Sequence, residues 1–333
     1  MTWDDLNWAA LDRLRARFLA GPGGTGPYWE TEDDLASYDF TYGERIGWKW
    51  DHVLRELRQR GWHPRSREVF DWGCGSGVAG RRVISFLGAG NIDSLTLWDH
   101  SPLACNYAAG AAQRAFPALR TAQATPGLLA ADSPIGLLVV SHVLNELTPE
   151  ALGTLRQLIA RSEAVIWVEP GTRDVSRQLG RIRDDIHASF RVVAPCTHAL
   201  ACPMFSADHE RDWCHFFAPP PSEIFADSNW VKFGQRAGID LRSLPYCFVA
   251  LDRGVKTDVA PGPAWSRVIG RVEHFKPYAR WLNCDATGLE ELELPKRADP
   301  ALFKELERSK APLVYQWQRD GRKVSGGRAY GLD

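Results

Sequence analysis

The sequence predicts an α/β fold: a doubly wound, mainly parallel sheet with a helical N-terminal cap, a Cys-rich insertion and a small β-rich C-terminal extension. Three observations carry this. From Val69 onward, short apolar runs alternate with helical stretches, the signature of a parallel sheet covered on both faces. Before that point the apolar residues recur at helical spacing. Between about 190 and 222 the rhythm breaks into a polar stretch rich in Pro, His and Cys.

Taken in order, residues 2–20 place Leu6, Ala9, Ala10, Leu14 and Phe18 on one helical face after a possible Thr2 cap. The Gly/Pro-rich GPGGTGPYW interrupts. A second helix follows in TYGERIGWKWDHVLRELRQRG, where Ile46, Trp50, Val53 and Leu57 recur and Gly61 supplies a stop. Residues 1–65 thus form a helical N-terminal region. Strands are expected at EVFDWG, SLTLWDHS, IGLLVVSHV, AVIWVEPG and LPYCFVALDR, giving a sheet domain over 66–258 with its insertion at 190–222. VAPGPAWS reads as a linker after Asp258. RVIGRVEHF, ARWLNCD and LEELELPKR then build the β-rich extension of 259–333, with a short helix in PALFKELERSK.

Composition narrows the function classes. With 333 residues the chain exceeds one average domain and buries a sizeable core. Its 40 basic and 41 acidic side chains leave no global positive field, so any RNA contact must be local, and DNA is not expected as a partner. No apolar run is long enough to span a bilayer, and the acidic residues near the N-terminus do not suit a transit peptide, so the expected location is cytoplasmic, of bacterial type. Seven cysteines over this length are too few for a secreted disulfide scaffold and fit reduced thiols, some of them ligands.

EVFDWGCGSGVAG sets Asp71, Gly73, Gly75 and Gly77 between a strand and a helix. Alternate glycines permit a tight turn and let a ligand lie against the backbone, facing helix N–H groups. The acid-x-Gly-x-Gly-x-Gly spacing resembles the first motif of class I (Rossmann-like) S-adenosylmethionine methyltransferases rather than the dinucleotide pattern. That resemblance implies S-adenosylmethionine lying over the first two strands, with Asp71 near its charged methionine part. Asp99, ending the next strand, is placed to accept hydrogen bonds from the ribose hydroxyls. The strand IGLLVVSHV brings Ser141, His142 and Asn145 toward the methyl group. Ser141 joins the cofactor-binding set, and His142 is a candidate general base with polar packing as its alternative. No Asn/Asp-Pro-Pro-aromatic signature of exocyclic amine methylation follows this strand.

The insertion carries Cys196, Cys202 and Cys214, and Cys284 follows about seventy residues on. Four thiolates suit either zinc or an iron-sulfur cluster. The absence of the short loops of zinc ribbons counts mildly against zinc, and spacing leaves both open. His198, His209 and His215 are alternative ligands or ordinary loop residues. Cys247 reads as a buried strand residue, and Cys74 and Cys105 as packing.

DWGCGSGVAG, SHVLNEL, VEPGTRDVSRQLGRIRDDI, VVAPCTHALACP and DWCHF together resemble, over roughly residues 40–320, the methyltransferase-like assembly factors of the mitochondrial small ribosomal subunit and their bacterial relatives. The resemblance implies a 4Fe-4S cluster on Cys196, Cys202, Cys214 and Cys284, and the small ribosomal subunit with its rRNA as partner. It leaves rRNA methylation and subunit assembly as the two forms of the function, since methyl transfer is not assured in that family. A small-molecule methyltransferase with a structural zinc site is the alternative. Arg173, Arg177, Arg181 and Arg183 recur at helical spacing and read either as a stripe for rRNA phosphates or as a solvated face paired with Asp174, Asp184 and Asp185.

Overall fold

The computed structural model describes residues 1–20, 29–130, 132–254, 261–308 and 312–331. The Gly/Pro break at 21–28 and the first part of the expected linker, 259–260, lie outside them. The chain begins with helices α1 (Trp8–Ala20), α2 (Glu32–Tyr38) and α3 (Glu44–Gln59). Alternation follows in β1 (Glu68–Trp72), α4 (Val78–Leu87), β2 (Ser94–Trp98), α5 (Pro102–Ala115), β3 (Arg120–Gln123), α6 (Pro126–Ala130), β4 (Ile135–Ser141), α7 (Pro149–Ala160) and β5 (Ser162–Pro170). Next come α8 (Arg173–Ile186), β6 (Arg191–Ala194), β7 (Phe216–Ala218), α9 (Ser228–Ala237) and β8 (Leu244–Asp252). The chain closes with β9 (Ser266–His274), β10 (Tyr278–Asp285), β11 (Gly288–Pro295), α10 (Pro300–Leu306), β12 (Val314–Asp320) and β13 (Lys323–Ala329). Two units emerge: residues 1–54, 63–169 and 220–244, and residues 55–62, 170–219 and 245–333.

In the first unit the sheet order is β3-β2-β1-β4-β5, all parallel. β4 and β5 are buried along nearly their whole length because helices leave neither face to solvent, which is why they read as unbroken apolar runs. β3, sequence RTAQ, was not anticipated: as the edge strand it stays mostly exposed and carries no apolar alternation. Helix starts follow side-chain chemistry. The hydroxyls of Ser101 and Thr148 accept the N–H of Ala104 and Ala151, and a proline follows each cap. The expected N-terminal helix is shorter than its periodicity implied. Thr2 and Asp5 cap each other around a single turn, Trp3–Asp5, and α1 begins only at Trp8. Leu14, Trp29, Leu35, Tyr38 and Ala104 form the apolar cluster that seats these helices.

In the second unit β6 and β8 pair antiparallel and β7 also pairs with β8. The C-terminal strands close into a barrel of order β10-β11-β13-β12-β9. Its core holds Trp281, Leu292, Leu294, Phe303 and Tyr315. The first three barrel strands and α10 match the expected extension. The closing pair β12 and β13 was missed, because VYQWQRD and KVSGGRA bury little on one side and the latter is rich in Gly and polar residues.

Candidate functional site

β1 ends at Trp72 and delivers the chain into a loop whose geometry only glycine supplies. Gly73, Gly75 and Gly77 take φ of +70°, +51° and +77°. A Cβ on Gly73 would come within 2.6 Å of Val143 Cγ1, and one on Gly77 within 2.8 Å of Ala108 Cβ. The loop is tied to the end of β2: the Gly73 and Cys74 N–H groups donate to the Trp98 carbonyl at 2.7 and 2.9 Å. The Gly75 N–H donates to Asp99 Oδ2 at 3.0 Å, while Asp99 Oδ1 accepts from the Ser101 N–H at 2.9 Å. Asp99 therefore first organises the loop, and its carboxylate keeps lone pairs for further donors.

Asp71 is fully buried; its Oδ2 accepts the Gly80 N–H at 3.0 Å. Its Oδ1 and the buried Ser76 hydroxyl have no partner among the described residues. Burial pushes the Asp71 carboxyl up to about 7, against the Gly80 N–H and Arg81, which favour the ionised form. An orphaned carboxylate oxygen short of positive charge, beside backbone that a Cβ would obstruct, suits a cationic amino-acid ligand such as S-adenosylmethionine. The residues present fit that cofactor.

At the end of β4, His142 takes φ +55°, rare for a residue with a side chain and a mark of a fixed local requirement. Lys49 Nζ lies 3.1 Å from its Nε2, and Ser141 Oγ lies 3.2 Å from its Nδ1. The Trp50 indole N–H donates to the same Ser141 oxygen at 2.9 Å. Burial, then the charges of Lys49 and Arg45, hold the imidazole well below its ordinary value, so it stays neutral. Both ring nitrogens are thus engaged within the protein, an arrangement that fixes a loop better than it presents a free base.

Sequence reading missed the residue that holds this loop. Glu169, buried at the end of β5, accepts the Val143 and Leu144 N–H groups at 3.0 and 3.1 Å and the Trp167 indole at 2.6 Å through Oε1. Its other oxygen has no described partner, and burial raises it to about 7. Glu146, on the same loop, is likewise raised to about 7, chiefly by burial. The acid inside VEPG, at the end of an otherwise apolar strand, was the available signal.

In the second unit all four predicted thiols, Cys196, Cys202, Cys214 and Cys284, are free and half-buried. They are near enough to influence one another. Burial raises Cys214 and Cys284 well above the usual thiol value, and the neighbouring thiols, with Asp285 beside Cys284, push the same way. Cys202 is pushed up to about 12 by burial and then by Cys196. The Cys284 sulfur also lies 3.9 Å from His198 Nε2. Among the described residues no group of three or more His, Cys, Asp or Glu side chains is placed to hold a metal ion. By chemistry alone, four soft sulfur donors are of the type that zinc or an iron-sulfur cluster takes. Cys247, by contrast, is buried in β8 with its thiol 3.5 Å from the Pro170 carbonyl, and Cys74 and Cys105 are buried in the first unit.

The Cys segment has little regular structure, and guanidinium groups hold it. Arg60 donates to the carbonyls of Val193, Pro195 and Cys196 at 2.8, 2.8 and 3.0 Å and pairs with Glu56 at 2.7 Å. Arg267 of β9 shares Glu56 and reaches the Pro195 carbonyl. From α8, Arg177 donates to the carbonyls of Met204, His209 and Asp212, Arg183 to those of His198 and Leu200, and Arg173 to that of Glu210. Neither expected reading, a stripe free for phosphates or a solvated face paired with Asp174, Asp184 and Asp185, describes the whole set, although Arg173 and Arg183 do pair with Asp174 and Asp184. Three of its four members clamp the Cys segment, and only Arg181, exposed and lying over the Phe205 ring, is left with no hydrogen bond to a described residue.

A family model described as mitochondrial small ribosomal subunit Rsm22 matches residues 51–286. The chain belongs to the Rsm22 family. The Rsm22 match takes in the glycine loop, Asp99, Ser141 and all four cysteines. The β3-β2-β1-β4-β5 order with a glycine loop after β1 is the class I methyltransferase fold. No match was found among curated protein sequences. Solved structures similar to the chain include the magnesium protoporphyrin IX methyltransferase of Synechocystis PCC 6803, at 15% identity over 75% of this chain and 97% of that one, TM-score 0.39. An rRNA methylase from Escherichia coli matches at 15% identity over 56% and 70%, TM-score 0.35. An Aquifex aeolicus SAM-dependent methyltransferase matches at 12% over 49% and 90%, TM-score 0.36. The likeness is weak and bears on neither substrate nor activity. No helix among the described residues is long and apolar enough to cross a membrane.

Proposed function

We propose that the chain is an S-adenosylmethionine-binding, methyltransferase-like protein that works on or with the small ribosomal subunit, through rRNA methylation or subunit assembly. The observation that carries this is the single family match, which runs through both the glycine loop and the four cysteines. Asp71 receives the cofactor's cationic end, Gly73, Gly75 and Gly77 leave room for it, and Asp99 and Ser141 complete its surroundings. Bound S-adenosylmethionine supplies an electrophilic methyl group. His142 fixes the loop facing that methyl group and is not assigned as a base.

Cys196, Cys202, Cys214 and Cys284 hold a 4Fe-4S cluster in this reading. The segment lacks the short-loop cysteine pairs of zinc ribbons, which favours a cluster over zinc. The bacterial-type cytoplasm remains the proposed location, although the matching family is described as mitochondrial. Sedimentation of the purified full-length protein with separated ribosomal subunits tests the reading: selective recovery with the small subunit is expected, and equal recovery with both, or with neither, would refute it.

A further inference from the structure

The C-terminal barrel has a specific topology. Numbered within itself, its strands run 2-3-5-4-1 around the closure, the third and fifth (β11 and β13) are parallel, and a helix (α10) joins the third to the fourth. This is the OB-fold arrangement, whose second and third strands, with the loops joining strands one to two and four to five, form a ligand surface. The same loops here are residues 275–277 and 321–322.

The side chains at this surface suit a single-stranded nucleic acid. Phe275 is 40% exposed, which leaves one of its ring faces within reach of a ligand. The Tyr278 ring stacks on it, centroids 4.7 Å apart and planes inclined by 23°, and the Arg280 guanidinium lies 5.3 Å from its centroid. Backbone bonds gather the neighbouring cations. The Lys296 N–H donates to the Pro277 carbonyl at 2.9 Å, and the Glu293 N–H to that of Arg322 at 2.9 Å. Lys276, Lys296, Arg297 and Arg322 are all exposed. The acids nearby are largely answered within the wall: Arg280 pairs with Glu273 at 2.6 Å and Glu291 at 3.6 Å, Arg319 and Arg322 pair with Glu290, and Glu293 stands opposite Lys323. Lys276 and Arg297 have no ion pair among the described residues, so positive charge is left over beside an exposed aromatic stack.

We propose that this face of the barrel binds single-stranded RNA, with a base stacked on the Phe275–Tyr278 pair and phosphates on Lys276, Lys296 and Arg297. Ring faces take any base and the cations follow the backbone, so the site is sequence-tolerant. The choice of RNA over DNA rests on the proposed ribosomal role; the chemistry of the face does not.

Fluorescence anisotropy of the full-length protein with a labelled single-stranded 12-mer RNA tests this, with duplex RNA and single-stranded DNA of matching sequence as comparators. Phe275→Ala with Tyr278→Ala should weaken binding about tenfold or more. Lys276→Glu with Arg297→Glu should flatten the dependence of log affinity on log salt by roughly 0.7 for each phosphate no longer neutralised. Both pairs lie on exposed loops or strand ends, and unchanged thermal unfolding confirms that they fold. Wild-type affinity in both, or preference for duplex RNA or for DNA, would overturn the proposal. The readout needs no ribosome, so a failed subunit sedimentation leaves it standing, whereas variants that bind oligonucleotide normally sink it whatever the ribosome does.

Discussion

The glycine-loop site and the thiol segment are built by opposite means. Around Asp71 and Asp99 the backbone does the holding: positive-φ glycines, N–H groups donating to carboxylates, and a loop tied to the end of β2. Around the cysteines the backbone is the part being held, its carbonyls gathered by Arg60 from the turn after α3, by Arg173, Arg177 and Arg183 from α8, and by Arg267 from a barrel strand. A site made by the main chain imposes residue types at fixed local spacing. One made by distant guanidinium groups imposes no spacing at all.

Substituting Arg177 tests the second half of that contrast with the largest expected effect. Arg177→Met removes a donor from three part-buried carbonyl oxygens, of which His209's keeps the Asp212 N–H, and each group left unsatisfied on burial costs about 1–3 kcal/mol. Urea unfolding should register a loss of that order, whereas Arg181→Met should stay within about 0.5 kcal/mol, as for ordinary surface substitutions. Equal stability of the two variants would break the distinction between clamp and free arginine.

A smaller effect tests the first half. In the free protein burial holds the Asp71 carboxyl near 7, so below that pH it is largely protonated. A ligand ammonium favours the ionised form, and binding must expel the proton. Affinity for S-adenosylhomocysteine, which keeps the ammonium, should therefore rise by up to about tenfold per pH unit from pH 5.5 to 7 and level off above. Calorimetric titration across that range should show the slope in wild type and largely lose it in Asp71→Asn. A flat wild-type profile would remove Asp71 from the ammonium.

The same contrast explains what was legible in the sequence. Strands β1, β4, β5 and β8 were readable because burial makes them nearly continuous apolar runs, β2 because its buried residues alternate, and the glycine loop because its φ values demand glycine. The four cysteines stood out by residue type. Their arginine clamps did not: Arg60 and Arg267 act from more than 60 residues away on either side, and a helical repeat of arginines on α8 looks alike whether it faces water or a loop's carbonyls. Glu169 escaped because its role lies in two N–H groups of another loop, and the barrel's closure because β12 and β13 carry few apolar residues.

In the proposed function, four half-buried thiols from the insertion and the barrel hold one cluster. Iron, sulfide and zinc analysis of the anaerobically purified full-length protein, alongside Cys284→Ser, tests it most directly. The expected result is about four iron and four sulfide per wild-type chain with a brown absorption spectrum, and loss of both in the variant. A colourless wild type carrying one zinc, or metal content unchanged in Cys284→Ser, would contradict it.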